Sequence, residues 1–120
     1  MNHIQFLRRL SQQSFGGWEL SYKELKSQLI LISKLYAKYN LEIVNTCGAC
    51  PEQYDIFKDG KQVAYYRLRH GEFRVDIPEC GGETIYNDEP FGDGTFYSSE
   101  RLVYLTKAMR AVLVKIDTKK

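Results

Sequence analysis

The stretch YDIFKDGKQVAYYRLRHGEFRVDIP, residues 54–78, decides the fold. Asp59-Gly60 separates two runs, 54–58 and 61–69. It is a strong two-residue hairpin signal, because both central positions of a type I′ turn need positive φ. His70-Gly71 separates 61–69 from 72–77 and is a weaker signal of the same kind. In the last run Phe73, Val75 and Ile77 alternate with Arg74 and Asp76, the pattern of a half-buried strand. Pro78 ends that run. Three strands joined by two tight turns form an antiparallel meander. Residues 41–46, short and β-branched, extend it on one side. Residues 83–86 add an edge strand on the other. The expectation is a meander of three to five strands.

Helices flank this meander. Tyr22, Leu25, Leu29, Ile32 and Tyr36 recur at helical spacing with Leu35 beside them, while Lys23, Lys26, Lys34 and Lys38 lie on or near the opposite face. Ser21-Tyr22-Lys23-Glu24 has the form of a capping box, Gly16-Gly17 reads as a break before it, and Asn40 is a C-terminal stop. The spacing predicts a helix over about 22–39. Ile4, Leu7 and Leu10 predict a short amphipathic turn or two within an N-terminal segment, 1–17. Residues 87–97 read as an irregular loop. After them Ser98 caps a last helix with Glu100 in its first turn and the stripe Leu102, Leu105, Met109, Val112 and Ile116.

Two N-terminal helices, one short, then a meander and a C-terminal helix packed on one sheet face make an α+β sandwich, a single domain over 1–120. The αβββα core resembles the topology of double-stranded-RNA-binding domains, a likeness of element order alone.

Charge narrows the function. Hydrophobic residues are 43% and charged residues 27% of the 120, a globular composition, and a formal net charge of +2 excludes a histone-like polycation. The charge is segregated. Residues 1–75 carry 11 basic and 7 acidic groups, 76–100 carry seven acidic and no Lys or Arg, and 101–120 carry six basic and one acidic. No apolar run approaches the roughly 18–20 residues of a membrane span, and the N-terminus lacks a secretory pattern. Three cysteines, an odd count, argue against a closed disulfide framework and point to the cytoplasm.

Three constellations carry chemistry. On 62–69 one face holds Tyr65, Arg67 and Arg69, joined by Arg74 on the next strand. Arg and Tyr together on a sheet suit a protein contact, or stacking and neutralisation of nucleic acid. The plainer reading is a solvated face whose arginines pair with Asp55, Glu72 and Asp76. The acidic stretch offers Glu83, Asp88, Glu89 and Asp93 to a basic partner surface, and it matches no EF-hand spacing. Cys47 and Cys50 form a Cys-x-x-Cys pair. A redox motif would open a helix, whereas Pro51 and a hairpin follow here. Cys47, Cys50, His70 and Cys80 could form a zinc site, but His70 and Cys80 are not a tight second pair, so loop thiols and no cofactor are the favoured reading. No Gly-x-Ser-x-Gly, His-Glu-x-x-His, P-loop or Gly-x-Gly-x-x-Gly pattern occurs. The expectation is therefore a non-enzymatic binding protein with a protein partner, and nucleic acid as the alternative.

The stretch from Tyr54 to Pro78, the run Cys80-Gly-Gly-Glu-Thr-Ile-Tyr and Gly92-Asp-Gly are similar to a group of short uncharacterised proteins of phages and other bacterial mobile elements, over about residues 51–116. The resemblance implies a small accessory protein, an inhibitor or adaptor of host machinery, with anti-defence as one version. It implies no catalytic residues.

Overall fold

The computed structural model describes residues 15–47 and 51–118. The order is α1 (Phe15–Ala37), β1 (Glu42–Cys47), β2 (Glu52–Lys58), β3 (Lys61–Arg69), β4 (Glu72–Ile77), β5 (Glu83–Asp88) and α2 (Ser98–Thr118). The strands form one antiparallel sheet in sequence order, β1 to β5. The meander is thus at the upper end of the expected strand number. The expected short element at 3–10 lies outside the described residues.

Turn chemistry sets the register. Asp59 and Gly60 have φ of 52° and 79°, and His70 and Gly71 have 53° and 78°, so both hairpins carry positive φ at each central residue. Lys58 then faces Lys61, and Arg69 faces Glu72. With the period of two, Tyr54, Ile56, Ala64, Tyr66, Leu68, Phe73 and Val75 turn to one face and are buried there. A bulge between Ile56 and Phe57 and another between Val75 and Asp76 break the strict alternation near the strand ends.

Both helices cover that one face. Ile32 and Tyr36 of α1 and Leu105, Ala108, Met109 and Val112 of α2 share a single buried cluster with it. The Tyr36 hydroxyl donates to the Leu105 carbonyl at 2.5 Å and so accepts from Tyr66 at 2.8 Å, which joins α1, α2 and β3. Phe73 is the aromatic centre: Tyr66 and Phe96 meet it edge-on at 5.8 and 5.0 Å between centroids.

Three expectations about the helices need correction. α1 begins at Phe15, so Gly16-Gly17 lies inside the helix and Ser21 does not start it. Glycine in a helix costs about 1 kcal/mol each, which a helix already nucleated downstream tolerates. The end of α1 behaves as expected: Asn40 takes φ 61°. Leu41 N–H donates to the Tyr36 carbonyl and Asn40 N–H to that of Ala37, a Schellman closure with Leu41 buried against the core. At the start of α2 the Arg101 N–H donates to the Tyr97 carbonyl, which makes Tyr97 the cap and puts Ser98 in the first turn. Along α2, Leu102 is 47% exposed while Arg101 is 2% exposed, so the inward stripe runs through Arg101, Leu105, Met109 and Val112.

Candidate binding surface on the open sheet face

Among the described residues, no helix lies over the opposite sheet face. Asp55, Tyr65 and Asp76 are cross-strand neighbours in one of its rows, and Gln53, Arg67, Arg74 and Asn87 in the next. The face is polar because it is not needed to close the core.

Part of it is already occupied. Asp76 is 1% exposed: its carboxylate accepts from Thr84 Oγ1 at 2.7 Å and from Gly81 N–H at 3.2 Å, and it pairs with Arg74 Nε at 3.3 Å. Arg74 is therefore engaged. Tyr65 lies on this face as expected but is only 8% exposed. Its hydroxyl donates to Gln53 Oε1 at 3.1 Å, and it borders a polar hollow of about 320 Å³ with Cys80, Glu79 and Gln62. Burial, with Cys80 beside it, pushes the Tyr65 phenol up from its ordinary value. Asp55 accepts from Gln62 Nε2 at 3.1 Å.

Arg67 and Arg69 differ from Arg74. Neither has an ion-pair partner among the described residues. Arg67 stands directly opposite Arg74, and like charges in that position oppose each other. Arg69 does have a carboxylate directly opposite it, Glu72, although no ion pair closes between them. Both arginines line a cleft of about 360 Å³ with Gln53, His70 and Asp93.

The cleft is built by the 89–97 loop. Glu52 N–H donates to the Gly94 carbonyl at 2.7 Å and Gly71 N–H to that of Asp93 at 2.8 Å, which anchors the loop to the start of β2 and to the β3–β4 turn. Glu100 holds the loop from α2: its carboxylate accepts from Phe91, Gly92 and Tyr97 N–H at 2.8–3.0 Å. It is the carboxylate half of a capping box whose cap residue is Tyr97.

Beneath the loop lies the feature that sequence reading missed. Arg101 pairs with Glu52 through Nε at 2.9 Å and Nη2 at 3.0 Å, and both side chains are buried. Arg101 also donates to the Phe96 carbonyl and to Gln28 Oε1, and Gln28 donates on to the Ser98 carbonyl. Glu52 further accepts from Phe96 N–H and from the Tyr54 hydroxyl. Burial alone would lower the Arg101 pKa; the hydrogen bonds and charge of Glu52 outweigh it and hold the guanidinium above its ordinary value. An Arg at a core position of the α2 stripe, with Glu52 on the buried phase of β2, was the signal available.

The acidic residues do not gather. Glu83 pairs with Lys115 at 3.2 Å at the start of β5. Asp88 sits at its end, five residues or roughly 16 Å away. There the Tyr86 hydroxyl holds its carboxyl below the ordinary value. Glu89 is exposed beside it, and its N–H donates to Asp88. Asp93 lies apart, in the cleft with Arg67 and Arg69. Of the four candidate zinc ligands, three lie in the described residues. Cys47 ends β1, His70 sits in the β3–β4 turn, Cys80 lies by Tyr65, and Cys50 is outside the described residues. No group of three or more His, Cys, Asp or Glu side chains suited to a metal occurs among the described residues. No described helix is long and apolar enough to cross a membrane.

Chemically, the open face offers two guanidiniums that close no ion pair among the described residues, in a polar cleft that Asp93 also lines, a donor set suited to carboxylate or phosphate. No family model matches the chain, and no curated protein or solved structure does.

Proposed function

We propose that this is a non-enzymatic regulatory protein of phage or mobile-element origin that acts by contact with a partner protein, through the open sheet face. Inhibition or adaptation of host machinery is the mode, and interference with a host defence is its concrete version. The observation that carries this reading is the pair Arg67 and Arg69, side by side on a face that no described helix covers and without ion-pair partners among the described residues. The similarity of residues 51–116 to short mobile-element proteins supports the origin. Tyr65 bears on the choice of partner. A base-stacking platform needs an exposed ring, and this ring is covered, which favours an acidic protein surface over single-stranded nucleic acid.

Affinity capture from host lysate, read by mass spectrometry, tests the proposal. The expected result is one protein enriched on the wild type and reduced at least tenfold on Arg67→Glu/Arg69→Glu. Equal capture by both removes the open face from the interface. Titration with labelled DNA and RNA is the companion arm. Binding whose log affinity falls with log salt by about 0.7–0.9 per phosphate contact would replace the protein reading.

A further inference from the structure

The cleft at the end of the open face is more specific than a basic patch. Arg67 and Arg69 are alternate residues of one strand face, roughly 7 Å apart along β3, and both line the cleft. Gln53 comes from β2. The Tyr65 hydroxyl holds its Oε1, and this leaves its Nε2 donors without a partner among the described residues. His70 comes from the turn, held there by positive φ. Asp93 lines the loop side. The donors converge from two strands and a turn onto one cleft.

We propose that this cleft binds a phosphate monoester carried on a side chain of the partner, a phosphorylated residue in an extended segment. The inference rests on the protein-partner reading above. Counting donors and charge distinguishes phosphate from carboxylate. A carboxylate is satisfied by one guanidinium fork. Two guanidiniums, an amide and an imidazole exceed what its two oxygens need, whereas a phosphate monoester brings three acceptor oxygens and a charge of about −1.5 to −2. Among the residues lining the cleft, two guanidiniums against one carboxylate, Asp93, leave an excess of positive charge, with Glu72 opposite Arg69 outside the lining. Clusters of arginine on a rigid scaffold are a general means of reading phosphorylated segments.

Two measurements test it. In the first, inorganic phosphate and acetate are titrated into the full-length protein and followed by backbone and side-chain amide NMR. Saturable shifts at Gln53, Arg67, Arg69 and Gly71 are expected. Phosphate should bind at least fivefold tighter than acetate, and Arg67→Gln or Arg69→Gln should weaken it at least tenfold. No saturation by phosphate, or equal affinity for acetate, overturns the proposal. In the second, lysate is treated with phosphatase before capture. Loss of capture supports phosphate recognition. Capture that survives phosphatase but fails on Arg67→Glu/Arg69→Glu keeps the partner reading and overturns this one. Capture abolished by nuclease instead assigns the cleft to nucleic acid and overturns both.

Discussion

At the scale of single residues, Glu52 and Arg101 decide how the two layers are joined. Their pair is buried and every oxygen of Glu52 is used. Removing one partner leaves an uncompensated buried charge. Arg101→Met is therefore expected to destabilise by about 3–5 kcal/mol in urea unfolding. Glu52→Leu combined with Arg101→Leu is expected to recover part of that and not all. The double change removes both charges, yet Phe96 N–H and the Tyr54 hydroxyl lose their acceptor, at about 1–3 kcal/mol for each buried group left unpaired. Full recovery would mean that those two bonds contribute nothing. Residue identity alone could not reveal this pair. Each member reads as an ordinary surface charge until β2 and α2 are laid together, and the phase of α2 turns on it: Arg101 is drawn in and Leu102 is turned out.

At the scale of elements, the turns were the most legible part of the chain and the loop between β5 and α2 the least. Asp59-Gly60 and His70-Gly71 announce their hairpins through a local backbone requirement, and nothing distant competes with it. The 89–97 loop takes its shape from partners far away in sequence, the start of β2 and the β3–β4 turn, and so could only be read as irregular. Two glycines separate these cases. At Gly60 a Cβ would meet no atom within 4 Å, so Gly60→Ala bears only the left-handed backbone cost, about 1–2 kcal/mol. At Gly92 a Cβ would lie 1.9 Å from the Thr95 carbonyl oxygen, so Gly92→Ala must displace the loop backbone that lines the cleft. Thermal unfolding is expected to show a modest loss for Gly60→Ala. Gly92→Ala should also alter the amide spectrum around Asp93 and Gly71. A Gly92→Ala spectrum unchanged at those positions would show that the loop is not held as described. The two-glycine start of α1 shows the opposite failure, where a local breaker signal is overridden by the helix that continues from it.

At the scale of the whole molecule, one sheet face is closed by helices and aromatic hydroxyls and the other is covered by no described helix. The closed side predicts a pH response. Tyr36, Tyr54 and Tyr66 are held above their ordinary value near 10, chiefly by burial. A group whose folded pKa lies above its unfolded one contributes stability that is complete below the unfolded value and is lost as pH rises through the folded one. Stability is expected to be insensitive to these groups below pH 9 and to fall above about pH 10. Absorbance at 295 nm should then show some of the nine tyrosines ionising only as the chain unfolds. Smooth ionisation of all of them before unfolding would contradict the buried cluster. On the open side, charge legible in the sequence was sorted by the fold. Arg74 pairs with the buried Asp76, Asp93 was carried to the basic end, and Arg67 and Arg69 close no ion pair among the described residues. Arg67→Glu would face Arg74 and Arg69→Glu would face Glu72, one favourable and one unfavourable cross-strand change, so the double variant is expected to leave the melting temperature nearly unchanged. The most direct test of contact through this face is hydroxyl-radical side-chain footprinting of the protein alone and with its captured partner. The account predicts protection of Arg67, Arg69 and His70 with Ile30 and Leu31 on α1 as reactive as before. Protection of Ile30 and Leu31 with the open face unchanged would contradict it.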